Sequence, residues 1–351
     1  MAPKLYYGIP AYNEEENILN CLAALDRQTI DAEVETIICV SKSTDRTMEK
    51  IQEGIVRYPH LNIKIISCGL GKSLAQRTIA KYVEDKTVPI AFVDADVVPE
   101  KRCMEILYND LRDIGQLVAV GAWPMPMKMY NLSPWERFMH GVLNVRALNP
   151  EAEISANDVS SYKWYADKYR QPTISVDFEK RSKIFFHGRT FMLRNAAYVE
   201  LPIHENAADD TYLPNYIHTT YGPGTIRLRY DALVYYKPYI SLMKHFYTYW
   251  RVYSDLRVLD RKGMFKESRE KEKLKWDWDY IMSRGTKTAL NFIFYRAIKA
   301  LEHTVYSVLP KRTLVEIWRS EKEHRNKMIK GISRFEVLYN LSTNEYVATK
   351  T

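Results

Sequence analysis

Val88-Pro89-Ile90-Ala91-Phe92-Val93-Asp94-Ala95-Asp96-Val97-Val98-Pro99 is an apolar run that stops abruptly at two acids. Residues 88–93 are too few for a stable helix and too apolar for a surface loop. They read as a strand buried on both faces, the kind found in parallel sheets. The strand stops at Asp94, so Asp94 and Asp96 sit two residues apart at its carboxyl end. Carboxylate oxygens are hard ligands that suit Mg²⁺ or Mn²⁺. Taken alone, the pair also reads as two surface acids in a loop.

Upstream, strand-like and helix-like segments alternate. Residues 4–9 form a short apolar strand that runs through Pro10-Ala11-Tyr12-Asn13 into an amphipathic helix over residues 14–25. Residues 35–40 are a second β-rich run, before a polar turn and a helix over residues 47–58. Residues 62–66 are a third strand, followed by Gly69-Leu70-Gly71 and a helix over residues 72–83. The decisive run is the fourth strand. Such alternation implies a mostly parallel sheet covered on both faces. Ligands of these folds bind at the carboxyl ends of the strands, the rim on which every turn named here lies.

Downstream, residues 118–122, 183–193 and 225–236 read as an antiparallel extension that builds an acceptor surface. Residues 241–260 look helical and aromatic, 262–275 are charged, and 287–309 are amphipathic. The tail after Glu345 shows no apolar pattern and reads as frayed.

The 351 residues are 46% hydrophobic and 27% charged, an ordinary globular composition. The chain is long enough to bury a core without disulfide or metal. Cys21, Cys39, Cys68 and Cys103 lack a Cys-x-x-Cys spacing and read as reduced thiols of a cytosolic protein. The first residues lack the apolar core of a signal peptide. No run reaches the ~20 apolar residues of a membrane-spanning helix. The nearest, residues 288–310, is interrupted by Arg296, Lys299, Glu302 and His303. A net charge of +8 suits an anionic partner: a nucleotide, an acidic lipid surface or a nucleic acid.

Six segments in order carry a resemblance. Ile9-Pro10-Ala11-Tyr12-Asn13-Glu14-Glu15-Glu16-Asn17-Ile18 resembles the opening of family 2 glycosyltransferases with the GT-A fold. Ser43-Thr44-Asp45-Arg46-Thr47 resembles that family's Ser-Thr-Asp-Gly-Thr turn, and Gly71-Lys72-Ser73-Leu74-Ala75 its Gly-Lys-x-x-Ala segment. Asp94-Ala95-Asp96 is similar to its metal motif. Gly188-Arg189-Thr190-Phe191-Met192-Leu193-Arg194 is similar to its acceptor-side strand, and Asp209-Asp210-Thr211-Tyr212-Leu213 to its Glu-Asp-Thr-Asp-Leu base motif. The ordered set covers roughly residues 5–255.

The resemblance implies an α/β GT-A fold, Rossmann-like, with a mixed sheet flanked by helices and a C-terminal helical extension. It implies a catalytic domain over residues 1–240, with a nucleotide-sugar half (1–116) and an acceptor half (117–240), followed by the extension (241–351). The implied enzyme is an inverting, hexosyltransferase-like glycosyltransferase that uses Mn²⁺ or Mg²⁺. It would move a sugar from a UDP- or GDP-sugar to a hydroxyl of a saccharide or lipid-linked acceptor. Pro10, Tyr12, Glu14, Ser41, Asp45 and Lys72 would join Asp94, Ala95 and Asp96 around the donor, with Asp94 and Asp96 on the metal. Asp210 would be the general base. Gly188, Arg189, Asp209, Trp250 and Arg251 would face the acceptor or the diphosphate.

Several of these residues have a plainer reading. Asn13 suits an N-cap for a helix starting at Glu14, and Asp45 suits a cap or turn. Lys72 at a helix start suits a phosphate or a solvated surface. Asp209-Asp210 suits an acidic helix start; if the two were buried together, Asp209 would raise the proton affinity of Asp210. Two segments depart from the family. Val40-Ser41-Lys42 lacks the aspartate that reads uracil, and Trp250-Arg251 reverses the order of the processive Gln-x-x-Arg-Trp motif. His187, His204, His218 and His245 show no metal-ligand spacing.

Residues 290–309 carry an apolar stripe, with Trp276, Trp278, Tyr280 and lysines between 262 and 275 upstream. The stripe reads as an in-plane contact with an anionic membrane or as a face packed on the catalytic domain. Two further readings stand beside the main one. One is a transferase acting on nucleic-acid bases, which the aromatics at 162–169 and 235–253 would suit. The other is a non-catalytic nucleotide-sugar scaffold, against which Asp94, Asp96 and Asp210 together argue.

Overall fold

The computed structural model describes residues 4–149, 186–195, 209–243, 245–246, 248–249, 278–308, 335–340 and 345–350. Strands β1 (Lys4–Ala11), β2 (Glu33–Val40), β3 (Ile63–Ser67) and β4 (Ile90–Val93) alternate with helices α1 (Ile18–Asp26), α2 (Thr47–Arg57) and α3 (Lys72–Tyr82). The strands are apolar and β-branched, and all four residues of β4 are at most 1% exposed. β1 pairs in parallel with β2 and with β4, and β2 with β3. The register sets Ala11 beside Val40 and Val40 beside Ser67, so these strands end together on one rim.

The sheet continues with β5 (Val97–Pro99), β6 (Ala119–Pro126), β8 (Thr190–Leu193) and β9 (Ile226–Tyr236), in the order β3-β2-β1-β4-β8-β6-β9-β5. β8 runs antiparallel to β4 and β6, and β5 antiparallel to β9. The result is the mixed sheet expected, flanked by helices that include α4 (Cys103–Asp113) and α7 (Asp209–Tyr221). Because β8 opposes β4, the residues just before β8 arrive at the carboxyl end of β4. There the amide of Asp94 donates to the carbonyl of Arg189 at 2.9 Å.

The chain divides into two compact units, one of which holds this sheet. The other holds α5 (Pro134–Leu143), α6 (Val145–Leu148), α8 (Trp278–Ser283) and α9 (Thr286–Val308). It also holds a small sheet in the order β10 (Phe335–Asn340), β11 (Glu345–Lys350), β7 (Lys128–Met129). α5 opens on a capping box: the Ser133 hydroxyl accepts from the Glu136 amide, and the Glu136 carboxylate accepts from the Ser133 amide.

Three expectations are corrected. The first helix starts at Ile18, because residues 14–17 form a turn that ends in hydrogen bonds from Asn17 and Ile18 to the Glu14 carbonyl. Asn13 is no N-cap: it sits at φ 57° and its side chain bonds elsewhere. The tail beyond Glu345 is not frayed, since β11 pairs antiparallel with β10 and parallel with β7. Among the described residues no helix is long and apolar enough to cross a membrane.

Candidate active site

The turns after β1 and β2 are clasped to each other. The Asn13 side-chain oxygen accepts from the Thr44 amide at 2.8 Å, and the Asn13 amide donates to the Ser43 hydroxyl at 3.0 Å. The Glu14 amide donates to the Thr47 hydroxyl, which donates in turn to Asp45 Oδ1. Asp45 also accepts from the Thr47 amide at 3.0 Å and, through Oδ2, from the Glu15 amide at 3.1 Å. Both oxygens of Asp45 therefore hold backbone, which is the cap-and-turn reading of that residue. Glu14 accepts from the Asn17 side chain at 2.8 Å. Tyr12 and Pro10 sit half-buried on the same rim. Ser41 is buried, with its hydroxyl 3.2 Å from Cys68 Sγ.

At the end of β4 the site tightens around one ammonium. Gly71 enters α3 at φ 135°, a conformation that favours glycine, and this sets Lys72 as the first helical residue. Lys72 Nζ lies 2.7 Å from Asp94 and 2.9 Å from Asp209, and donates to the Gly188 carbonyl at 2.8 Å. Gln76, one turn further along α3, donates to the same Asp209 oxygen at 2.9 Å. The glycine at 188 makes this approach feasible. A Cβ there would stand 2.9 Å from one Asp209 oxygen and 3.0 Å from the other. Lys72 is thus an internal counter-ion between the first acid of the β4 pair and the first acid of α7.

Burial pushes the Asp94 carboxyl up to about 7; Lys72 works against the shift, while Asp96 and Asp209 add to it. Ala95 is buried between the two acids, and Asp96 is exposed on the rim. Beneath them the Cys21 thiol is 3.6 Å from the Asp94 carbonyl. Arg189 places its guanidinium 4.1 Å from the ring centre of Tyr236, a cation–π contact at the same edge. Asp210 is half-buried in the first turn of α7.

The structure therefore brings together Lys72, Asp94, Gly188 and Asp209, with Lys72 more than 100 positions in sequence from Gly188 and Asp209. Gln76 and Tyr236 were not anticipated. Gln76 was findable, because it stands four residues after Lys72 on one helical face. In sequence Tyr236 reads only as one of the aromatics at 235–253, not as part of this site. Trp250, Arg251, His204, Trp276, the lysines between 262 and 275 and the aromatics at 162–169 lie outside the described residues. His187 packs its ring 5.2 Å from Trp123, and His245 Nδ1 lies 2.8 Å from Glu302.

Residues 7–200 match the profile of the family described as Glycosyl transferase family 2. The dolichol-phosphate mannosyltransferase of Pyrococcus furiosus is 28% identical over 114 residues, which are 32% of this chain and 31% of that enzyme. The match thus spans about a third of that relative's length. A mannosyltransferase from Pyrobaculum calidifontis, solved in complex with GDP-Man and Mn²⁺, superposes with a TM-score of 0.52 at 15% identity. That superposition covers 94% of this chain and 86% of the other, a likeness of fold. Glucosyl-3-phosphoglycerate synthase from Mycobacterium tuberculosis, solved with Mn²⁺, UDP and glucosyl-3-phosphoglycerate, gives a TM-score of 0.46 at 14% identity. There 75% of this chain and 81% of the other are covered.

Proposed function

This chain belongs to glycosyl transferase family 2, and from that premise we propose that it transfers a hexose from a nucleotide-diphosphate sugar to an acceptor hydroxyl with inversion. The observation that carries the reading is the junction at Lys72, where Asp94 and Asp209 share one ammonium. A donor-side acid and an acceptor-side acid are thereby held at one point of the rim.

Asp94 and Asp96 fit a divalent cation. Both offer hard oxygens, and the burial that raises the Asp94 carboxyl penalises its charged form, a penalty that a bound dication would offset. Among the described residues no three His, Cys, Asp or Glu side chains form a closed site. Diphosphate oxygens and water would complete the coordination, as Mg²⁺ and its analogues prefer. When bound, the cation offsets charge that develops on the departing nucleoside diphosphate. Lys72, at the start of α3, orients Asp94 and presents positive charge to the same phosphates. Asp209 is held by Lys72 and Gln76 as a fixed anchor. Asp210, next in the same turn, takes the proton of the attacking hydroxyl.

GDP-mannose is the donor we assign. Val40-Ser41-Lys42 offers no carboxylate for a uracil ring. The relative from Pyrococcus furiosus is named a mannosyltransferase, and the Pyrobaculum enzyme was solved with GDP-Man. Donor hydrolysis across a panel of UDP- and GDP-sugars with Mn²⁺ tests the assignment. GDP-mannose should be turned over fastest. Equal hydrolysis by an Asp94→Asn, Asp96→Asn double variant would remove the site from the reaction.

A further inference from the structure

Helix α9 carries apolar side chains on two opposite faces. Ala289, Phe292, Tyr295 and Tyr306 turn inward and are at most 5% exposed. Leu290, Ile293, Phe294 and Leu301 turn the other way and are 46–57% exposed. Their spacing keeps them in one stripe along the helix. The stripe continues onto α5. Phe138 meets Phe294 edge to face at 5.3 Å between ring centres, and Trp135 follows at 5.7 Å from Phe138. Trp135 is 64% exposed. The two helices approach closely at Gly141, where a Cβ would lie 2.9 Å from the Asn291 side-chain nitrogen. The result is one uncovered apolar face with an aromatic edge, running about 17 Å along α9 from Leu290 to Leu301 at ~1.5 Å per residue.

Cations outnumber acids around this face: against the exposed Lys287, Arg296 and Arg137, the acid of α5, Glu136, is half-buried and held by Ser133 in the capping box. The single acid of α9, Glu302, is buried beside His245 and Lys299. Lys287 and Arg296 of α9 and Arg137 of α5 are exposed. Lys287 precedes Leu290 by three residues, on the same stripe. We infer that α5 and α9 form a surface that docks on an anionic lipid membrane, lying in the headgroup plane without crossing it. Tryptophan and phenylalanine suit that interface, and each nearby cation adds attraction to acidic headgroups. A second copy of the chain fits less well. A two-fold contact through this face would gather Lys287, Arg296 and Arg137 of both copies at one seam, against the half-buried Glu136 of each α5. Within its own unit, the α9 side chains that pack are those of the opposite face.

Sedimentation of the full-length protein with vesicles tests this without turnover, so it is independent of the donor assignment. The wild type should co-sediment at low salt with vesicles of equimolar phosphatidylcholine and phosphatidylglycerol, and release as salt rises. Trp135→Ser with Phe138→Ser should lower partitioning about tenfold, from the apolar area no longer buried. Lys287→Glu with Arg296→Glu should lower it at least as much, on anionic vesicles alone. Leu301→Gln probes the other end of the face and keeps the test open if the aromatic variant misfolds by circular dichroism. Three results overturn the proposal: a wild type that stays in the supernatant, folded variants that bind like the wild type, or a lipid-free dimer that these substitutions convert to monomer.

Discussion

Gly188 and Asp209 leave no room for a side chain between them: a Cβ on Gly188 would lie 2.9 and 3.0 Å from the two Asp209 oxygens. The carboxylate cannot simply swing aside, because Lys72 and Gln76 hold it from α3. The close approach therefore depends on a missing side chain as much as on the charges.

Gly188→Ala is expected to push Asp209 off its partners and misplace the first turn of α7, which also bears Asp210. A displacement of this kind near reacting groups costs about 10–10²-fold in rate. Steady-state kinetics with the assigned donor should show kcat reduced by that order, and the urea midpoint should fall as Asp209 leaves Lys72 and Gln76. Unchanged kcat would show that the Asp209 position is not coupled to turnover.

Lys72→Met should destabilise the chain, because Asp94 and Asp209 lose the cation between them. The groups are partly solvated, so a cost of about 1–3 kcal/mol is expected, below that of a fully buried pair. Mn²⁺ should restore part of the loss, since a dication bound at Asp94 and Asp96 replaces the missing charge. Urea unfolding with and without Mn²⁺ measures both effects. A loss that Mn²⁺ leaves unchanged would separate Lys72 from the proposed metal site.

Much of the rim was legible in the sequence, for a physical reason. Strands β1 to β4 are short apolar runs bounded by turn residues, and parallel pairing then forces their carboxyl ends onto one side. The start of α1 was misread because Asn13 and Glu14 look like a cap and a first turn. Their polar groups are instead recruited by Ser43, Thr44 and Thr47, about 30 residues away. The Lys72–Asp209 contact spans 137 positions and depends on β8 running backwards beside β4, which local patterning does not encode. The outward face of α9 was seen as an apolar stripe, but its periodicity alone does not say which apolar face packs.

Asp96→Asn should abolish metal-dependent binding of GDP, measured by calorimetry with Mn²⁺. Chelating the metal from the wild type should have the same effect. Asp96 is exposed, so the variant should fold normally. Metal-dependent binding that survives in the variant would exclude Asp96 as a ligand.

Asp210→Asn should leave donor binding nearly intact and lower turnover by ~10²–10⁴-fold, the usual cost of losing a general base. Asp209→Asn should behave differently. It weakens an anchor shared by Lys72 and Gln76, so stability should fall along with rate. If instead Asp209→Asn removes turnover at full stability and Asp210→Asn does not, the base is Asp209.

Asp45 separates a structural role from a donor-binding one most cleanly. Its Oδ1 accepts from the Thr47 amide and hydroxyl at the entrance to α2, and its Oδ2 accepts from the Glu15 amide in the neighbouring turn. Asp45→Ala removes all three bonds and leaves two backbone amides to find water. The expected loss is about 1–2 kcal/mol, the range for a lost helix-start acceptor. Asp45→Asn keeps one acceptor oxygen and should lose about half as much. Both should appear as shifts of the urea midpoint at constant slope. With the turn loosened, the donor KM should rise by no more than the stability change implies, and kcat should hold. A large rise in KM for Asp45→Asn at near-normal stability would mean that a carboxylate oxygen leaves the clasp to meet the nucleotide.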